Sequence, residues 1–260
     1  MIDDKRTLRI VFVTQEEPFY LSDAFKYFFS QLNKKIVVAA AVITPNGVEG
    51  RSGSFFSRAI RTIRIFGFHF FLYYAWRFVV SKVCQKTVCR AFEDNNVSIV
   101  NLSDNINNEK NIEIIRSFEP DLLISVSSNH IFKQQVLNIP KLFCLNVHTS
   151  SLPKYRGLLP TFWAMLHDEK EIGVSIFKMD EGIDTGEIIM QSSINIEGMT
   201  QQEIIVQTKM QAMRDLQNCF ESILSNDIQW LENNDDEATY FGWPSADDVK
   251  TFVSFGKKFF

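Results

Sequence analysis

Apolar positions along this chain alternate between two periods. Short continuous runs rich in Val, Ile and Leu occur at Leu8–Thr14, Ile36–Ile43, Val97–Leu102, Leu122–Val126, Leu142–Val147, Ile172–Met179 and Ile188–Ser193. Runs of that length, bounded by polar and turn residues, predict buried strands. Between them the spacing lengthens. Leu21, Phe25, Phe28, Phe29 and Leu32 share one helical face, and Asn107–Phe118 and Thr161–His167 also read as helices. Thr200-Gln201-Gln202-Glu203 has the form of a capping box. It opens a long helix whose apolar stripe is Val206, Met210, Met213, Leu216, Phe220 and Ile223. A second capping box at Ser245–Asp248 predicts a short helix to about Phe255, with Gly256 at its end. Strand, helix and strand in succession predict crossovers in a parallel sheet, an α/β fold.

The segment 51–92 breaks this rhythm. It carries eight Lys or Arg residues and no Asp or Glu, and 65–80 within it is dense in Phe, Tyr and Trp. Gly67, His69 and Arg77 interrupt the apolar stretch, so two helices hinged near Gly67 are expected rather than one membrane-spanning helix. Three readings stay open. They are an amphipathic helix on the sheet with a solvated basic face, an interfacial helix on an anionic membrane, and a basic surface for a phosphorylated substrate or a partner.

Composition narrows the class. The chain has 260 residues with 45% hydrophobic positions, enough for one large α/β domain with a modest extension. The net charge of −4 argues against a general nucleic-acid binder. Cys84, Cys89, Cys144 and Cys219 show neither Cys-x-x-Cys nor metal-site spacing, so free thiols in a reducing compartment and no metal site are expected. The charged N-terminus lacks the form of a signal peptide. A cytoplasmic protein is expected, membrane-proximal if 51–92 meets lipid. Whether it forms a homodimer is left open.

Candidate chemistry concentrates between Leu145 and Gln191. Asn146 and His148 lie two apart at the exit of a strand, so they point to the same side. Pro153 and Gly157 then force a tight loop. Further on, Asp180 and Asp184 flank Gly182 in another turn. Amide and imidazole donors can hold an oxyanion, and a carboxylate beside an imidazole can orient it and accept protons. The plainer alternative is that these groups satisfy turn backbones. The first strand is followed by Glu16 and Glu17 instead of Gly-x-Gly-x-x-Gly, which disfavours a nicotinamide-dependent oxidoreductase.

Asn146-x-His148, Leu152-Pro153-Lys154-Tyr155-Arg156-Gly157 and Asp180-x-Gly182-x-Asp184-Thr185-Gly186, in that order, resemble the folate-dependent formyltransferases. That family includes glycinamide ribonucleotide, methionyl-tRNA and sugar N-formyltransferases. One departure is Ser151-Leu152, where the family usually has Leu-Leu. The resemblance implies a Rossmann-like, mostly parallel sheet flanked by helices, with a catalytic domain over 1–198 and a short helical C-terminal extension over 199–260. It implies Asn146, His148 and Asp184 as catalytic residues and 10-formyltetrahydrofolate as formyl donor. Ser128, Asn129, His130, Ile131 and Phe132, with Asp180 and Gly182, are the expected folate contacts. Ser150, Lys154, Tyr155 and Arg156 are the expected acceptor contacts. Leu-Pro-Lys-Tyr-Arg-Gly resembles the sugar enzymes most, so a nucleotide-linked amino sugar is the expected acceptor. A methionyl-tRNA enzyme, a formyltetrahydrofolate hydrolase and a non-catalytic folate- or membrane-binding protein are the alternatives. The expected lack of a tRNA-binding barrel after the sheet, and of a regulatory domain before Leu8, weighs against the first two.

Overall fold

The computed structural model describes residues 7–45 and 55–260, so Arg51 and its neighbours at the start of the basic segment lie outside the described residues. The chain opens with β1 (Leu8–Gln15), α1 (Leu21–Ser30) and β2 (Ile36–Thr44). The basic segment forms α2 (Phe55–Phe66) and α3 (Phe68–Val83), followed by α4 (Val88–Glu93). Gly67 separates α2 from α3 at φ 89°, a left-handed conformation that makes glycine the natural hinge. Then come β3 (Ser98–Asn101), α5 (Glu109–Arg116), β4 (Leu122–Val126), α6 (Gln134–Leu137) and β5 (Phe143–His148). The second half contains β6 (Arg156–Gly157), α7 (Pro160–Leu166), β7 (Glu171–Lys178), β8 (Ile188–Asn195), α8 (Gln201–Ser225), β9 (Tyr240–Phe241) and α9 (Ala246–Ser254).

Seven strands form one sheet in the order β3-β2-β1-β4-β5-β7-β8. The first five are parallel, and β7 and β8 continue it antiparallel. This is the expected α/β architecture. The order reverses between β1 and β4, and in such sheets ligands bind beyond the carboxyl ends near the reversal. Both faces are covered, which is why the central strands read as continuous apolar runs. On one face Phe12 meets Phe25, Phe28 and Phe92 with ring centroids 5.2–5.7 Å apart. Helix α8 enters the same cluster through Met213, Leu216, Phe220 and Ile223. Helix α8 thus shares the main core, while Val249, Phe252 and Phe259 pack with Phe162, Trp163 and Met165 of α7 in a separate cluster. The other face packs Val11, Val13, Ile112, Ile115, Leu123 and Phe132.

Both capping boxes form. Thr200 and Glu203 close the start of α8, and Ser245 and Asp248 that of α9. The two-stranded parallel pair β6–β9 has no counterpart in the sequence expectations. It ties the tail to the loop after β5, because Arg156 N–H donates to the Thr239 carbonyl and Leu158 N–H to that of Phe241.

Candidate active site

Strand β5 delivers Asn146 and His148 at its carboxyl end. Asn146 pairs in register with Ser125 of β4 and Phe177 of β7, so its backbone is held from both sides. His148 is buried, and its Nε2 lies 2.9 Å from the Tyr155 carbonyl. A carbonyl can only accept, so Nε2 carries the proton and Nδ1 is the open nitrogen of the neutral ring. Nδ1 faces Asp184, with Oδ2 at 3.7 Å.

Asp184 reaches this position through a strained turn. Its φ is 55°, in the left-handed region that costs a non-glycine residue about 1 kcal/mol or more. Its carboxylate sits between three groups. Oδ1 accepts from Asn146 Nδ2 at 3.4 Å, Oδ2 accepts from the Gly157 N–H at 2.9 Å, and the imidazole lies alongside. An amide, an imidazole and a carboxylate, brought from two loops, thus converge at the end of β5. Gly186 is obligatory just beyond, since a Cβ there would run into the Lys178 carbonyl. Gly157, at φ 95°, lies so close to the Phe241 carbonyl that a side chain would collide with it.

Asn233, to which the sequence assigns no role, locks this turn. Its amide donates to the carbonyls of Asp184 and Gly186 at 2.9 and 3.0 Å. Its own Oδ1 accepts from Arg156 Nη2 at 2.9 Å, and Arg156 Nη1 donates to Asp235 at 2.7 Å. The sequence signal for this was an arginine in a tight motif with no partner nearby in sequence, and an Asn/Asp cluster in the tail. Nothing local linked the two.

Three of the four expected acceptor contacts make hydrogen bonds within the protein. Arg156 is buried, its guanidinium committed to Asn233 and Asp235. Tyr155 is buried at φ 60°, its ring stacked on Phe241 at 5.5 Å and its hydroxyl donating to Glu169 at 2.7 Å. Burial, with the Glu169 carboxylate beside it, raises the Tyr155 phenol above its ordinary range. Ser150 is fully buried and donates to the Lys154 carbonyl at 2.9 Å. These side chains shape the loop, because a turn this tight must satisfy its polar groups internally. Lys154 alone of the four is exposed.

The expected folate contacts divide similarly. Ser128, Asn129 and His130 are half-buried and Ile131 is exposed, on the loop leaving β4 beside β5. Asn129 donates to the Gln15 side chain, and His130 Nδ1 accepts from the Ile106 N–H at 3.1 Å. The Phe132 side chain is in the core, so only its backbone can face a ligand. Asp180 is exposed and closes its own turn, accepting from the Gly182 N–H at 2.9 Å and the Thr185 hydroxyl at 2.6 Å.

The acids of the first turn act as helix caps. Glu17 accepts the N–H groups of Phe19, Tyr20 and Leu21 at the start of α1, and Glu16 accepts those of Val88 and Cys89 at the start of α4. Burial pushes the Glu17 carboxyl up, against the opposing pull of those N–H groups. Burial pushes the Cys89, Cys144 and Cys219 thiols up to about 12, so they are poor nucleophiles. Among the described residues no group of three His, Cys, Asp or Glu side chains is placed to hold a metal ion.

Residues 80–216 match the family model described as formyl transferase. Over 86 residues the chain is 43% identical to the methionyl-tRNA formyltransferase of Clostridioides difficile, a stretch of 33% of this chain and 28% of that protein. The chain thus spans less than a third of that relative. Among solved structures, the N-formyltransferase of Helicobacter canadensis in complex with folinic acid and dTDP-3-aminofucose superposes with a TM-score of 0.57 at 17% identity. That match covers 96% of this chain and 81% of the other. The phosphoribosylglycinamide formyltransferase of Bacillus halodurans superposes at 0.58, also at 17% identity, over 84% of this chain and 95% of its own.

Proposed function

This chain belongs to the formyl transferase family, and from that premise we propose that it moves a formyl group from 10-formyltetrahydrofolate to a primary amine. The observation that carries the proposal is the convergence of Asn146, His148 and Asp184, with Asp184 3.4 Å from the amide and 3.7 Å from the imidazole. In the reaction the amine nitrogen bonds to the formyl carbon, and the bond from that carbon to N10 of the folate breaks. The amine loses a proton and N10 gains one. Negative charge grows on the formyl oxygen in between. Asn146 has two amide hydrogens, and only one is directed at Asp184, so the second can hold that oxygen. His148 joins it through Nδ1 when that nitrogen carries a proton. Asp184 fixes both donors and takes up the amine proton, directly or through water. The loop 128–132 supplies backbone edges for the pterin, beside these groups because β4 and β5 are register neighbours.

We assign the acceptor to the nucleotide-linked amino sugars. The supporting observation is the Helicobacter canadensis enzyme, whose complex holds such a compound and which overlays most of this chain. The 43% identity to a methionyl-tRNA formyltransferase favours charged tRNA as the second reading. The two separate in one experiment. Tetrahydrofolate release is followed with a panel of nucleotide-linked amino sugars, with methionyl-tRNA and with no acceptor. Release with one amino sugar alone supports the assignment. Release with methionyl-tRNA replaces the acceptor, and release with none replaces transfer by hydrolysis.

A further inference from the structure

Helix α3 carries its amphipathicity the wrong way round for a helix on a water-facing surface. Its outer face presents Phe68, Leu72, Trp76, Val79 and Val83, which are 57, 47, 63, 59 and 77% exposed. Their spacing of four, four, three and four residues makes one continuous stripe. Tyr73, Tyr74 and Arg77 face inward, while His69 and Lys82 are exposed. Arg77 donates to the Tyr20 hydroxyl at 2.8 Å and the Phe19 carbonyl at 3.0 Å, and Tyr73 donates to Gln202 at 2.6 Å. The Tyr20 and Tyr74 hydroxyls are paired at 2.7 Å. The inner face is therefore satisfied by the protein, and the outer one is an apolar strip in want of a cover.

We propose that this strip docks on an anionic lipid surface, with α3 lying in the plane of the interface. Charge selects this occupant. The segment 51–92 contains no acidic residue, while Lys82 on α3 and Arg64 on α2 are both exposed. Lys86 just beyond is met at 3.4 Å by Asp23 of α1, and Arg61 rests over the Trp243 ring. A second copy of the chain would bring the same cations together with no acid from this segment between them. A surface of negative headgroups offsets them instead. Sixteen residues with this composition lie on a bilayer and do not cross it, and no helix among the described residues is long and apolar enough to span one. Trp76 sits at mid-helix, where an indole anchors at the boundary of headgroup and acyl chain.

The test is co-sedimentation of the full chain with phosphatidylcholine vesicles, with and without phosphatidylglycerol. The chain is expected to partition onto the anionic vesicles only, and to leave as salt is raised. Leu72→Glu with Val79→Glu, both exposed, is expected to lower partitioning about tenfold or more with an unaltered melting temperature. In the wild type, emission lost in Trp76→Phe should be quenched by lipids brominated along the acyl chain, a readout that does not depend on the double variant folding. Equal partitioning of wild type and double variant, absence of vesicle binding, or a dimer in sedimentation that the double variant disrupts would each overturn the proposal.

Discussion

In the proposed mechanism Asn146, His148 and Asp184 act as a unit, and the structure holds that unit through Asn233 and Arg156, which lie behind the turn. Removing one oxyanion donor typically costs a factor of about a hundred to a thousand in turnover. Asn146→Ala and His148→Ala are therefore expected to lower kcat by that order with little change in melting temperature. Turnover within a few-fold of wild type for either would remove that residue from the mechanism. Asn233→Ala should lower both stability and activity. It releases the carbonyls of Asp184 and Gly186 and leaves the buried Arg156 guanidinium short of a partner. A loss of about 2–4 kcal/mol in denaturant unfolding is expected, and an unfolding midpoint equal to that of wild type would contradict the locking role. Asn146, His148 and Asp184 were legible as candidates because each sits inside a short motif, and the structure brings the three side chains together. The sequence could not place Asn233, because the bond from residue 233 to residue 184 depends on tertiary geometry alone.

At the scale of elements, what repeated locally was legible. The strands, the long helix and both capping boxes follow from runs, spacing and cap residues read within a few positions. Three features did not follow. The antiparallel direction of β7 and β8 depends on how the loops return. The β6–β9 pair is too short to leave a period. The face of α3 that meets the protein is chosen by Tyr20 and Gln202, far away in sequence. Helix α8 allows two checks. Phe220→Ala should cost about 3–5 kcal/mol, because its side chain is fully buried against α1 and the sheet. A cost near zero would place α8 outside the main core. Asp215, buried on the same helix, accepts from Ser192 at 2.5 Å and Gln211 at 2.8 Å. Burial nonetheless raises its carboxyl. A raised acid favours folding fully below its unfolded pKa, and that contribution is lost as pH rises through the native value. Asp215→Asn should therefore gain stability relative to wild type as pH climbs from the acid range to neutrality. A difference independent of pH would contradict this.

For the whole molecule, the sheet order explains why residues from separate stretches of chain meet. The reversal between β1 and β4 opens the carboxyl edge, β5 brings the amide and imidazole to it, and the loop from β7 to β8 returns the carboxylate. The tail then runs back along the loop after β5 and closes it. What was not legible is the division of labour within Leu152–Gly157. The motif gives no sign that Tyr155 and Arg156 also brace the loop from within, bonded to Glu169 and Asp235, because a buried turn must satisfy its own polar groups. The catalytic role of Asp184 is tested by tetrahydrofolate release from 10-formyltetrahydrofolate with an amino-sugar nucleotide, wild type against Asp184→Asn. Acceptor-dependent release is expected in the wild type, with a loss of about a hundredfold or more in the variant, both folded alike. Release unchanged by Asp184→Asn would contradict that role.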